Sequence, residues 1–308
     1  MVFPIQAILC AVDFSPFCSL VCNYGVALAR RAGVPLYLFH AVHHPQDRIH
    51  PTLVFERGGD LTHHMAAARQ QMQRLMKDTP VDWEPVVRFG DPVEQITAVV
   101  DTLPPCLVVS ASHGVSGFRR FFIGTVVERL SRTLDCPMLV VKPTTGNGHE
   151  QATDFKTVVV SCDASGHWHQ LAQLIYLFEP DPTSSIYLVH AVEGPMEMPL
   201  DEPRLSYAQA QQAYQARVAD HLDQAARNLF GDEKQVSTMV APGEPEEMVL
   251  GVAQAQAADL IAVGVRPSGR VGRLIAGSTT EALLRHAPCC VLTVPEPKKQ
   301  AASKGGGK

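Results

Sequence analysis

The chain repeats itself. Ile8–Ser15 (ILCAVDFS) returns 150 residues later as Val158–Ser165 (VVVSCDAS), and His40-Ala41-Val42 returns at the same offset as His190-Ala191-Val192. Beyond a three-residue insertion the offset becomes 153. At that offset Gly90-Asp91-Pro92 matches Gly243-Glu244-Pro245, Gly124-Thr125 matches Gly277-Ser278, Glu128 matches Glu281 and Arg132 matches Arg285. A repeat fixes the architecture before any element is assigned. With 308 residues and roughly 150 residues per domain as the prior, the reading is two copies of one domain, 1–143 and 154–295. The Gly/Thr/Asn-rich stretch 144–153 has a linker's composition, and the tail 296–308, ending Lys-Gly-Gly-Gly-Lys, is expected to be disordered.

Within each copy, short β-branched apolar runs alternate with longer stretches of helical period. That is the pattern of a parallel sheet with helices on both faces, an α/β fold. In the first copy strands are expected near 5–12, 35–42, 83–88, 106–111 and 138–141, with helices near 16–32, 61–78, 92–102 and 124–134. The second copy gives strands near 156–162, 185–192, 235–240, 259–264 and 290–294, with helices near 167–178, 204–230, 245–257 and 278–286. In the long helix 204–230, apolar Leu205, Ala208, Ala219, Leu222, Ala226 and Leu229 recur at helical spacing, as in a helix packed on a sheet.

Composition closes off several classes. At 46% hydrophobic and 19% charged residues the chain can bury ordinary cores, which excludes disordered and collagen-like classes. The net charge is −5, and the tail carries Lys298, Lys299, Lys304 and Lys308 against Glu296, so the body is more acidic still. Such a body does not have the electrostatic footprint of a general nucleic-acid binder. No apolar run approaches the ~18 residues of a membrane span, and Asp13 interrupts the first apolar segment before it could serve as a signal-peptide core. The expectation is a soluble, cytoplasmic protein with no nucleic acid or membrane partner. The eight cysteines (10, 18, 22, 106, 136, 162, 289 and 290) lie mostly in apolar runs and lack CxxC spacing, which reads as reduced core thiols. Cys289 and Cys290, if on a strand, project to opposite faces.

An open parallel sheet binds ligands beyond the carboxyl ends of its strands, where the strand order reverses. After the fourth strand of copy one come Ala111-Ser-His-Gly114, nine residues, then Gly124-Thr125-Val126 at a helix start; copy two has Gly264-Val-Arg-Pro267, nine residues, and Gly277-Ser278-Thr279. A glycine-punctuated loop entering a helix N-terminus offers amide donors to phosphate. The competing reading is structural: Thr125–Glu128 and Ser278–Glu281 fit a capping box that would spend those donors on the helix itself. Ser15 before Pro16 reads as an N-cap followed by N1. Asp13 and its twin Asp163 sit at the strand mouth without being needed as caps, so a polar ligand contact is open to them.

Taken together, Asp at the end of strand one, His-Ala at the end of strand two and a G-x2-G-x9-G-[S/T] pattern after strand four resemble the universal stress protein family in its tandem two-domain form. The likeness spans nearly the whole chain except linker and tail. It implies five strands per copy in the order 3-2-1-4-5, pairing of the two fifth strands as an internal pseudo-dimer, and, in nucleotide-binding members, ATP, ADP or AMP, with or without Mg²⁺, at the mouth of strands one and four. Another branch of the family lacks the glycine pattern and does not bind ATP. Carried over by position, adenine and ribose contacts fall on Ala11, Asp13, Ala41, Ser110 and Ala111, and phosphate contacts on Gly114, Gly124, Thr125 and Val126. Copy two gives Ser161, Asp163, Ala191, Val263, Gly264, Gly277, Ser278 and Thr279. Each copy departs once: Ala111 replaces the first glycine in copy one, whereas Pro267, which has no N–H, replaces the second in copy two. Copy one is therefore favoured as the nucleotide site.

Six of the 13 histidines lie between His40 and His64. His43, His44, His50, His63 and His64 are the candidates for a metal site, although no tight His-x3-His spacing appears among these five. His40 has the twin His190, which points to a fold role. No G-x-S-x-G elbow, P-loop or dinucleotide fingerprint is present, so no enzymatic activity beyond slow ATP hydrolysis is expected. Three functions stay open: a nucleotide-binding stress-response or regulatory module acting on a protein partner, a non-nucleotide scaffold for a protein or apolar ligand, and metal binding by the histidine-rich segment. Whether two chains pair as a homodimer is not readable.

Overall fold

A computed structural model describes residues 5–42, 61–112, 124–143, 153–163, 168–178, 183–192, 206–231, 235–265 and 277–296. The linker core, the tail, Gly114, Pro267, His43, His44 and His50 lie outside the described residues. The first half runs β1 (Ala7–Ala11), α1 (Cys18–Ala32), β2 (Leu36–Val42), α2 (Leu61–Leu75), β3 (Trp83–Phe89), α3 (Pro92–Val100), β4 (Cys106–Ala111), α4 (Thr125–Thr133) and β5 (Met138–Val141). The second half follows as β6 (Thr157–Ser161), α5 (Trp168–Phe178), β7 (Ser185–Val192), α6 (Tyr207–Phe230), β8 (Gln235–Pro242), α7 (Pro245–Ala255), β9 (Leu260–Val265), α8 (Ser278–His286) and β10 (Cys290–Pro295).

All ten strands form one sheet in the order β3-β2-β1-β4-β5-β10-β9-β6-β7-β8. Each half therefore has the order 3-2-1-4-5, parallel throughout, and the halves join where β10 pairs antiparallel with β5, Val291 opposite Val140 and Leu292 opposite Leu139. Along the inner strands both faces of the sheet are buried, as near-continuous apolar strands require, whereas the edge strands β3 and β8 are largely exposed. Alternation along β1 sends Ile8 and Cys10 into a layer under α1, α2, α5 and α6, while Leu9 enters the opposite layer under α3, α4, α7 and α8. Each layer runs without a break from one half into the other. Cys290 belongs to the first layer and Cys289 to the second, on opposite faces as expected.

Three cations of the first half reach across the seam. Arg31 at the end of α1 donates to the Leu177 and Phe178 carbonyls at the C-terminus of α5 (3.1 and 3.0 Å) and pairs with Asp154. Lys142, just after β5, donates to the carbonyl of Ala287, the C-cap of α8, at 2.9 Å. Arg132 of α4 bonds Glu281 of α8 through Nε at 2.9 Å and also holds Glu128. Cations at helix C-termini meet the negative end of the dipole. On the first of the two faces, Phe155 completes the seam between Tyr24 and Phe178, with ring centroids 5.6 Å away on each side.

Helix starts differ from the sequence reading in two places. Ser15 is not the N-cap of α1: residues 15–17 form a turn, Cys18 N–H donates to the Ser15 carbonyl, and Phe17 precedes the first helical residue. The reason lies two residues earlier, where Asp13 Oδ1 accepts from Ser15 N–H at 3.0 Å and folds the segment into its own turn before a helix can begin; Ser15 Oγ caps that turn, accepting from Phe17 N–H at 3.4 Å. The long α6 starts later than expected, at a Ser206/Gln209 capping box. Its buried face is Ala210, Leu222, Ala225, Ala226 and Phe230, whereas Ala208 is exposed.

Candidate functional site

In the first half the sheet order reverses between β1 and β4, and Ala11 stands directly opposite Ser110. Two residues expected to meet adenine and ribose are thus side by side at the carboxyl end of the sheet. Ala41 lies at the same end of β2, two residues beyond the Phe39 that pairs with Ala11. Ala111 closes β4, and the adjacent Ser112 carbonyl accepts from Gly124 N–H at 2.9 Å. That bond pins the start of α4 to the end of β4. The fold accordingly gathers Ala11, Asp13, Ala41, Ser110, Ala111, Gly124, Thr125 and Val126 at one mouth.

The start of α4 shows that the structural reading of its sequence, the capping box, is not realised. Gly124 is the N-cap, Thr125 is already the first helical residue, and no side chain caps the helix. The capping box does not form, because the threonine sits one position too late and Glu128 turns to Arg132 at 3.0 Å instead. The first intrahelical bond is Glu128 N–H to the Gly124 carbonyl. The amides of Thr125, Val126 and Val127 therefore belong to the orphan donors that every helix start presents. Gly124 N–H itself is already spent on Ser112. The same geometry recurs at α8, where Gly277 is the N-cap without a side-chain cap.

Asp13 is exposed. Its Oδ1 accepts from Ser15 N–H and from the Cys18 thiol at 3.6 Å, leaving Oδ2 without a partner among the described residues. Phe14 has φ 59, a left-handed conformation that costs a non-glycine residue about 1 kcal/mol or more. Its ring packs on His40 at 4.3 Å, and His40 Nδ1 donates to the Val12 carbonyl at 2.8 Å. His190 makes the same bond to Cys162 at 2.9 Å, so the histidine twins tie strand two to the end of strand one in both halves. Nothing in Asp-Phe-Ser signals the left-handed residue, since glycine is the usual marker.

The second mouth differs in its charge. Thr279, the twin of Val126, donates from Oγ1 to Glu246 at 3.1 Å, which brings a carboxylate against the first turn of α8. The first half carries Val93 at the place of Glu246. Sequence reading missed this pair because Glu246 lies in another helix and becomes a neighbour only through the fold. Thr280 Oγ1 reaches the Gly264 carbonyl at 3.5 Å, Val263 and Gly264 lie just before Val265, the last residue of β9, Asp163 follows β6 by two residues, and Ala191 is next to last in β7. In the first half the nearest acid at that corner, Asp91, caps α3 through Val93 and Glu94 N–H and is held by Arg129 at 2.7 Å. Burial works to raise its carboxyl, but Arg129 and the helix amides outweigh that and hold it below the usual range.

Of the histidine candidates, His63 and His64 lie on α2. No group of three or more His, Cys, Asp or Glu side chains suited to a metal ion occurs among the described residues. No helix among them is long and apolar enough to cross a membrane. All eight cysteines are free thiols.

The sequence profile of the universal stress protein family matches residues 4–142 and 154–295. The Thermus aquaticus protein called universal stress protein in QAH/OAS sulfhydrylase 3′ region is 31% identical over 140 residues, 46% of this chain and 98% of that protein. Among solved structures, a universal stress protein from Archaeoglobus fulgidus covers 95% of this chain and 99% of its own at TM-score 0.64 and 18% identity. A functionally unknown protein from Pseudomonas aeruginosa covers 96% of this chain and 94% of its own at TM-score 0.65 and 15% identity. These two likenesses are of fold.

Proposed function

The chain belongs to the universal stress protein family as two domains in tandem, and from that premise we propose that its first half binds an adenine nucleotide (ATP, ADP or AMP) in a stress-response or regulatory role. The observation that carries the reading is the uncapped first turn of α4, anchored at the strand-order reversal; among the described residues no carboxylate from another element bonds residues 125–128. The phosphates lie against the amides of Thr125 and Val126, with the helix dipole adding its favourable end. Gly124 contributes shape rather than a donor, and the small side chains of Ala11, Ala41, Ser110 and Ala111 line the adenine and ribose end. Asp13 Oδ2 is the polar group available to the nucleoside, and a triphosphate brings its own Mg²⁺. Gly114, outside the described residues, is the further phosphate contact that the family likeness assigns. The second mouth is the weaker one, since Glu246 beside Thr279 repels an anion.

Catalysis needs positioned cations to neutralise a transferring phosphoryl group, and Thr125 and Val126 offer amides alone. The role is binding, with occupancy read by a protein partner.

The test is titration calorimetry together with thermal melting at millimolar ATP, ADP and AMP. The native protein should release heat and melt several degrees higher with nucleotide. In Gly124→Glu both signals should vanish, a loss of at least about 100-fold in affinity, or ~2.7 kcal/mol. Gly124 has φ −62 and its added Cβ would meet the Ser112 carbonyl at an ordinary 3.5 Å, so the variant keeps its fold. Neither heat nor protection in the native protein would leave the scaffold reading in its place.

A further inference from the structure

Cys106 opens β4, and Cys136 lies two residues before β5. The register pairs Val108 with Met138, with Val108 N–H donating to the Pro137 carbonyl at 3.0 Å; carried two residues back at the same spacing, it brings Cys106 beside Cys136. In the second half the ladder runs one step further back: at the matching place Ile261 pairs with Val291 and, one step earlier, Leu260 with Cys290. Residues two apart on a strand share a face. Cys106 therefore projects with Val108, and Cys136 with Met138, into the layer under α3 and α4, to which Val108, Met138 and Cys136 all belong. The Cys106 and Cys136 thiols are near enough to shift each other's protons. Neighbouring strands about 4.8 Å apart fall inside the roughly 4.4–6.8 Å Cα separation that a disulfide spans.

Access separates Cys136 from the other thiols. Cys136 is partly exposed beside Leu134, Met138, Val265 and Thr293, whereas the other seven cysteines are buried. Burial raises the thiols of Cys10, Cys162, Cys289 and Cys290 and pushes Cys18 and Cys22 up to about 12, which keeps them protonated and inert. At the pair, donation from Cys136 lowers Cys106 against the pull of burial, and Cys136 holds its own proton more tightly for the same reason. Within the pair, deprotonation is easier at Cys106, whereas the partly exposed sulfur is Cys136.

We propose that Cys106 and Cys136 are an oxidative modification site, a dithiol that hydroperoxides close to a disulfide between the starts of β4 and β5. The thiolate attacks the O–O bond of the peroxide, forming a sulfenic acid and releasing hydroxide. The second sulfur, deprotonated, then displaces hydroxide from the sulfenic sulfur. Two thiols and one hydrogen peroxide become one disulfide and two waters. The molecule carries its own control: at the twin of Cys106 stands Asp259, whose carboxylate accepts from Lys156 and Thr157 N–H at 2.9 and 3.0 Å, so Cys289 faces an acid where Cys136 faces a thiol. The bond would tether both ends of the segment that contains α4.

The experiment treats the full chain, without nucleotide, with sub-millimolar hydrogen peroxide, blocks remaining thiols by alkylation and maps tryptic peptides without reduction. The peptides bearing Cys106 and Cys136 contain no other cysteine. The expected result is a linked pair of these two peptides, lost on adding dithiothreitol, with two thiols fewer open to alkylation and a melting midpoint a few degrees higher. Cys106→Ser should stop the reaction at Cys136, as a sulfenic acid captured by dimedone. Both cysteines still alkylated, a link between other cysteines, or unlinked sulfinic acid at Cys136 in the native protein would each overturn the proposal. Because no adenylate is present, its failure is separate from failure of the nucleotide reading.

Discussion

The two halves share a backbone plan and differ in what they spend charge on. Strand order, helix starts at Gly124 and Gly277, and the histidine bonds to Val12 and Cys162 are repeated. The seam is not. Arg31, Arg132 and Lys142 all reach from the first half into acceptors of the second, and among the described residues no cation of the second half reaches back. The twins of Arg31 and Lys142 are Asp181 and Pro295, and Arg285, the twin of Arg132, is exposed. At the mouths the difference reverses: the second half carries the added carboxylate, Glu246. Backbone topology is fixed by apolar alternation that both copies keep, while polar groups at the periphery are free to diverge once one copy has taken over a task.

That comparison can be broken at its symmetric part first. Leu130 and Leu283 are twins, both fully buried in the layer under α4 and α8. Leu130→Ala and Leu283→Ala should each cost ~2–5 kcal/mol in urea unfolding. A gap between them above about 2 kcal/mol would show that equivalent backbones hide unequal packing.

Lys142 tests the one-way seam. Burial brings its ammonium down to about 8 from an ordinary 10.5. Between those values the unfolded chain keeps a proton that the folded chain has lost, so stability rises with pH across that window. Lys142→Met should lack this rise, a difference on the order of 1–2 kcal/mol between the two proteins' pH profiles from about 8 to 10.5. Parallel profiles would mean that the side chain is hydrated. The smallest effect belongs to Arg132→Ala: its side chain is 42% exposed, and screening limits its pairs with Glu281 and Glu128 to about 1 kcal/mol or less. A loss above about 2 kcal/mol would mark the pair as a true anchor of one half on the other.

The repeat made the fold legible. Asp13 matching Asp163 and Gly124 matching Gly277 set the domain count, and β-branched runs placed the strands within a few residues, β4 and β5 at their observed bounds. Periodicity reads well because burial on both faces forces it. Caps were less legible: Ser15 and Thr125 have the right chemistry, but Asp13 captures the first turn and Gly124 takes the position before Thr125. Phe14 in a left-handed conformation and Thr279 on Glu246 were invisible, since each depends on a partner distant in sequence. Cys106 and Cys136 read as two isolated core thiols until β4–β5 register set them abreast.

The antiparallel junction of β5 with β10 has a directional consequence. Each half is parallel within itself, so reversing one against the other turns their carboxyl ends toward opposite rims of the sheet. Occupants of the two mouths would lie back to back, out of reach of each other. Crosstalk between them would have to pass through the ladder rather than through a shared ligand, which makes each rim a separate port.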